Sequence, residues 1–257
     1  MNSLFAFDLT FSQWLIAAVC GVLIGASKSG LTGVAFLAFP LLASIFGARA
    51  STGVALPMLL FADIFAVTYY NRHASVENLI RLAPWVAAGL LLALFVGQHA
   101  SNKAFGMLFA VTILLGIAVM LWKEQRAEKL EIPKHTFYPV IMGVSAGFAT
   151  MIGNAAGPLM SLYLLSKRLP KNTFIGTAAW FYLAVNAAKV PLHLFIWQTI
   201  THETIFFDLA TAPFIVLGVL GGIYTVKHIS EQVYRILVTA SAIVAALLLI
   251  IKFLLYL

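Results

Sequence analysis

The sequence places three ionisable side chains inside segments that are otherwise apolar, namely Lys28, Asp63 and Lys189. Ionisable residues are expensive in an apolar environment, so each of them is a candidate for function by default. Asn186 lies three residues before Lys189 and shares its face if the segment is helical. Its amide could donate to an anion that Lys189 attracts. Asp63 is either a structural counter-ion to one lysine or a proton relay.

Polar residues also surround two interruptions of the apolar pattern. The first covers residues 26–30 and contains Lys28, and the second contains Gly153 and Asn154. Hydroxyls and the backbone N–H groups of helix N-termini suit anions, and glycine lets the backbone approach a ligand closely. The sequence predicts a substrate-binding set that consists of Ser27, Lys28, Ser29, Thr32, Asn154, Asn186 and Lys189. Asp63 is predicted to couple transport to an ion gradient.

The other residues that could do chemistry are weaker candidates. His99 and His228 lie at segment ends, where structural capping is expected, and His193 lies near the outer end of its segment. The single cysteine, Cys20, fits no metal or redox motif. No His-Glu-x-x-His, Gly-x-Ser-x-Gly or Walker pattern occurs in the sequence. We therefore expect no enzymatic activity, no cofactor and no metal site.

The composition indicates which kind of structural element holds these residues in place. Hydrophobic residues make up 62% of the 257 residues and charged residues only 10%, whereas a soluble domain carries about 25% charged residues. We therefore predict an all-α polytopic membrane protein. Its apolar segments fall at about 12–27, 30–47, 50–70, 79–98, 104–122, 137–152, 155–166, 173–197, 204–226 and 233–256. Since a full crossing needs about 20 residues, the short segments are either thin crossings or re-entrant hairpins.

The net charge of +7 is concentrated in short loops between apolar segments, which argues against nucleic-acid binding. Of fourteen Lys and Arg residues outside the deep positions, eleven fall on one side of the predicted membrane. The positive-inside rule makes that side cytoplasmic, so both termini are predicted outside the cytoplasm. Residues 123–136 then form a cytoplasmic linker between residues 1–122 and 137–257.

These two halves contain an internal repeat. The matched stretches are 21–25 with 143–147, 53–63 with 176–186, and 83–101 with 212–230. The spacing between equivalents is 122, 123 and 129 residues in these blocks. Each half has an odd number of crossings, so the second half should be inverted relative to the first. Inverted repeats with interrupted helices are an architecture of secondary transporters that bind substrate near the membrane midplane.

The motifs in these halves resemble those of the sulfite exporter TauE/SafE family. Gly21-Val-Leu-Ile-Gly25, Gly30-Leu-Thr-Gly33 and Pro40 in the first half are echoed by Gly143-Val-Ser-Ala-Gly147, Gly153-Asn154 and Gly157-Pro158 in the second. The resemblance covers nearly the whole chain. It implies an inner-membrane carrier, surrounded by lipid, whose partner is a small inorganic or organosulfur anion.

We therefore expect a secondary transporter that exports a small anion, such as sulfite or an organosulfonate, by alternating access. Two deep lysines against one deep carboxylate favour an anionic substrate. The alternative is a proton-coupled carrier of a neutral or cationic solute that uses Asp63.

Overall fold

The computed structural model describes residues 7–31, 33–70, 74–125 and 137–255. These residues form helices and no β-strand, which confirms the predicted all-α class. In chain order they are α1 Phe11–Lys28, α2 Ala35–Phe46, α3 Ala48–Tyr70, α4 Val76–His99, α5 Asn102–Gln125, α6 Tyr138–Gly153, α7 Gly157–Ser166, α8 Lys171–Pro191, a π-helical turn Leu192–Ile196, α9 His202–His228 and α10 Glu231–Leu255.

Seven helices of the described chain are long and apolar enough to cross a membrane. They include α1, whose 18 residues are the minimum for a span, and α8, which continues through the π-helical turn to Ile196. Three shorter apolar helices remain, α2, α6 and α7. The predicted polytopic membrane class is therefore confirmed, and each predicted apolar segment corresponds to a helix.

The two predicted interruptions are places where the backbone cannot continue as a helix. Gly30 and Gly33 between α1 and α2 have φ angles of +127° and +110°, which L-residues with a Cβ rarely adopt. Asn154 ends α6 with a left-handed φ of 53°, and its N–H returns to the carbonyls of Ala149 and Thr150. Asparagine is one of the few residues other than glycine that tolerate this C-terminal position.

The described helices divide into two compact units, Met1–Phe65 with Asn186–Leu257 (unit 1) and Ala66–Val185 (unit 2). In unit 1, α1 packs closely against α9 through glycines. A Cβ on Gly25 would collide with the carbonyl oxygen of Ile215, and a Cβ on Gly218 would collide with that of Val22. Small residues at such positions let two helix backbones approach, as is common in membranes.

Unit 2 contains an interface of the same design between α6 and α4. A Cβ on Gly147 would collide with the carbonyl oxygen of Val86, and one on Gly89 with that of Val144. Gly147 and Val144 are the equivalents of Gly25 and Val22 at the offset of 122 read from the sequence. Val86 and Gly89 are the equivalents of Ile215 and Gly218 at the offset of 129.

The same equivalence appears at the helix ends. His99 Nδ1 lies 2.8 Å from the Phe95 carbonyl oxygen, and His228 Nδ1 lies 2.7 Å from that of Tyr224. Both histidines therefore have the structural capping role that was expected of them. The repeat in the sequence thus corresponds to a repeat in local contacts, whereas the inverted sense of the second half stays a prediction.

Candidate functional site: a buried charged cluster in unit 1

Lys28 and Asp63 form an ion pair inside unit 1. The Nζ atom of Lys28 lies 2.7 Å from Asp63 Oδ1, and the two side chains are 13% and 0% exposed. Lys28 is the last residue of α1, and a cation is favoured near the carbonyl end of a helix. The ion pair thus joins the C-terminal end of α1 to α3, and both side chains are largely buried.

Asn186 connects this pair to the second deep lysine. Its Nδ2 donates to Asp63 Oδ2 at 2.7 Å, and its Oδ1 accepts from Lys189 Nζ at 3.3 Å. An amide has one accepting and one donating end, so the carboxylate on one side and the ammonium on the other fix its orientation. The amide N–H group, which was predicted to donate to an anion, donates to Asp63 in this structure.

The cluster formed by Lys28, Asp63, Asn186 and Lys189 carries a formal charge of +1, because two lysines share one carboxylate. Lys189 is completely buried. The charges of Lys28 and Asp63 both act on it. A net charge in a dry interior is costly.

A buried histidine continues the polar face beyond Lys189. His193 lies in the π-helical turn after α8, and its side chain is 0% exposed. Its Nδ1 lies 2.7 Å from Thr199 Oγ1. Asn186, Lys189 and His193 are spaced by three and four residues, so they lie on one face of the helix.

Comparison with protein-family models matches residues 17–249 to the model described as sulfite exporter TauE/SafE. The chain belongs to the sulfite exporter TauE/SafE family. Membership implies a membrane transporter of sulfite or related anions and agrees with the expectation that the chain is not an enzyme. Searches of curated proteins and of solved structures gave no match.

Not all of the residues predicted to bind substrate in this TauE/SafE chain lie in the charged cluster. Ser27 donates its hydroxyl to the carbonyl oxygen of Ile24 at 2.8 Å, and Ser29 donates to that of Ala26 at 3.0 Å. Both hydroxyls would have to rotate before they could donate to an anion. Asn154 belongs to unit 2, and Thr32 lies outside the described residues.

The two residues that follow Lys28 contact the second half of the chain. The hydroxyl of Tyr234 on α10 donates to the Gly30 carbonyl oxygen at 3.2 Å. Ser29 packs against Gly222 of α9, where a Cβ would collide with its Oγ atom. The position of Lys28 in this transporter therefore depends on α9 and α10 as well as on α1.

Two buried groups of unit 1 were not among the residues predicted to bind substrate. His193 could have been found by its helical spacing from Asn186 and Lys189, although nothing in the sequence points to Thr199 as its partner. The carboxylate of Asp208, in the second turn of α9, is buried and has no hydrogen-bond partner among the described residues. No motif or periodicity in the sequence distinguishes Asp208.

Proposed function

We propose that this chain exports a small anion, such as sulfite or an organosulfonate, across the inner membrane by alternating access. The anion binds at the charged cluster of unit 1, next to Lys189. Family membership supports a transporter of sulfite or related anions. The choice of this site is supported by the composition of the cluster, in which two lysines accompany one carboxylate.

The physical reason for an anion is the cost of a buried charge. Lys189 is fully buried, and the Asn186 amide links it to Asp63. Removing charged groups from water costs several kcal/mol per ion, and this cost is repaid best where the buried positive and negative charges balance. A bound monoanion, such as hydrogensulfite or an organosulfonate, brings the formal charge of the cluster to zero, so the loaded site is easier to enclose within the membrane than the empty one.

Asp63 is the proposed coupling residue. It already neutralises Lys28 at 2.7 Å, which supports a counter-ion role in the resting protein. Protonation of Asp63 would remove that negative charge and leave Lys28 free to attract the anion. A proton and an anion would then bind together and cross the membrane together, so a proton gradient would drive the anion in the direction of proton flow.

The remaining predicted residues complete the proposal. Ser27, Ser29 and Thr32 lie on or beside the interruption that contains Lys28, and Asn154 lies on the equivalent interruption of the second half. In an inverted repeat these interruptions would open alternately to the two sides of the membrane. Both termini are then outside the cytoplasm, because the positively charged loops face inward.

The experiment is sulfite transport by the purified full-length chain in lipid vesicles. Vesicles loaded with sulfite should release it faster when they contain the protein than when they are empty, and an outward proton gradient should accelerate the release. Thiosulfate, a short alkylsulfonate and acetate are tested in parallel to rank the anions.

Two results would contradict the proposal. If none of these anions moved faster than in empty vesicles, anion export would be wrong. If a neutral or cationic solute moved in proportion to the proton gradient and no anion did, the alternative carrier that uses Asp63 would be correct.

A further inference from the structure

His193 has a buried nitrogen with no partner in the described part of the chain. Its side chain is 0% exposed, and its Nε2 has no hydrogen-bond partner among the described residues. Leaving a buried donor or acceptor unpaired costs about 1–3 kcal/mol. Such groups are rare, and each one calls for an explanation such as a ligand or an ordered water molecule.

The other nitrogen of the ring is held from two sides. The hydroxyl oxygen of Thr199 lies 2.7 Å from His193 Nδ1. The backbone N–H of Thr199 donates to the His193 carbonyl oxygen at 2.9 Å. Thr199 itself rests against α3, because a Cβ on Gly53 would collide with its side chain. The edge of the ring also contacts Trp197, with ring centroids 5.1 Å apart. The imidazole is therefore fixed in position, and Nε2 is its free end.

The backbone around His193 is also unusual. Residues Leu192–Ile196 form a π-helical turn directly after Pro191, and such turns occur frequently at functional sites. His193 follows Lys189 by four residues, and Lys189 is the charge that acts on the ring. The unpartnered nitrogen and the buried ammonium thus lie on neighbouring turns of the same face.

We propose that His193 Nε2 donates a hydrogen bond to an oxygen of the oxyanion that binds at Lys189. When the Thr199 hydroxyl donates to Nδ1, the neutral ring carries its proton on Nε2. Lys189 then supplies the charge, and His193 supplies a directed second contact. This inference rests on the proposed function and deepens it, because a second directed donor selects an oxyanion over a halide ion.

The test compares two substitutions of the same residue in the vesicle assay. The amide of H193N can still reach Thr199 from the position of Nδ1, but it has no group at the position of Nε2. The longer H193Q places an amide N–H near the position of Nε2. H193N should raise the KM for sulfite on the order of tenfold, which is the effect of losing one hydrogen bond to an anion. H193Q should restore most of the loss.

Selectivity gives a second readout that a purely structural role would not change. Inhibition of sulfite transport by chloride should become stronger in H193N than in the wild type, because the directed contact favours oxyanions. Size-exclusion profiles of both variants establish that they are folded. If H193N does not fold, T199V and T199S replace it. Only T199V, which removes the hydroxyl, should raise the KM several-fold.

The outcomes separate this inference from the function on which it rests. If the wild type moves sulfite and H193N has the same KM and chloride sensitivity, the inference is wrong and the proposed function stands. Equal KM values for T199V and T199S would contradict it in the same way. If the wild type moves no sulfite, the proposed function and this inference both fail.

Discussion

Asp63→Asn tests how strongly the charged cluster stabilises the protein. At the 2.7 Å separation of Lys28 Nζ and Asp63 Oδ1, two unit charges attract by about 6 kcal/mol at an effective dielectric constant of about 20. Desolvation of both groups offsets part of this attraction, but removal of one partner from a buried pair still costs about 3–5 kcal/mol. For a chain of this size, the melting temperature should fall by about 10 °C.

The hydrogen-bond geometry strengthens this expectation. Asp63 presents one oxygen to Lys28 and the other to the Asn186 amide. An amide in its place has one oxygen, so its NH2 group must face either the ammonium or the Asn186 N–H group. D63N also raises the formal charge of the cluster from +1 to +2, whereas K28M lowers it to 0. D63N should therefore destabilise the protein more than K28M does.

The double variant K28M/D63N completes a double-mutant cycle with the two single variants. With methionine beside it, the introduced amide can accept from Asn186 and turn its NH2 group away from any donor. The double variant should therefore be more stable than D63N alone, and the two effects should be non-additive by about 0.5–3 kcal/mol. The assay is thermal denaturation in detergent, with D8N as the control for an exposed carboxylate. Additive effects, or a melting temperature of D63N equal to that of D8N, would refute the ion-pair reasoning.

Two further predictions concern the packing and the orientation of the chain. G25A and G147A should each destabilise the detergent-solubilised protein by roughly 1–3 kcal/mol or more, because a Cβ at either site meets a backbone carbonyl. G106A and G221A, where a Cβ meets nothing within 4 Å, should be neutral or stabilising by about 0.5–1 kcal/mol, and equal melting temperatures for all four variants would contradict the packing. A C-terminal alkaline phosphatase fusion should be active while a fluorescent reporter that matures only in the cytoplasm stays dark, and the reverse pattern would overturn the orientation.

Much of the fold could be predicted because the bilayer imposes simple requirements on the sequence. Long apolar segments identify helices, and glycines with constant spacing identify the places where helix backbones approach closely. Gly25 and Gly147 were matched by sequence alone, and both turn out to lie against a backbone carbonyl. The partner helices, α9 and α4, could not be predicted, because an apolar helix surface does not specify which neighbour covers it.

The charged part of the site could be predicted because ionisable residues are rare in apolar segments. Lys28, Asp63, Asn186 and Lys189 were all singled out, and the structure brings the four together within unit 1. The sequence could not show which of these side chains form pairs, because the ion pair joins Lys28 and Asp63, which are 35 positions apart. His193 was ranked low because its importance depends on a tertiary contact that leaves one ring nitrogen unpaired.

The central claim is that the excess positive charge at Lys189 binds the anion. The most direct measurement is the stabilisation of the detergent-solubilised protein by sulfite, followed as a melting temperature across a sulfite titration. A ligand present at about 100 times its Kd stabilises the folded state by about 2.7 kcal/mol, which is readily measured. K103M serves as the control, since Lys103 is exposed at the start of α5.

K189M removes the buried ammonium and keeps much of its volume. Without sulfite, its melting temperature should stay close to that of the wild type, because the lower net charge of the buried cluster offsets the loss of the hydrogen bond to Asn186 Oδ1. With sulfite, the wild type and K103M should be stabilised, and K189M should not respond. A K189M protein that is stabilised by sulfite as strongly as K103M would contradict the account.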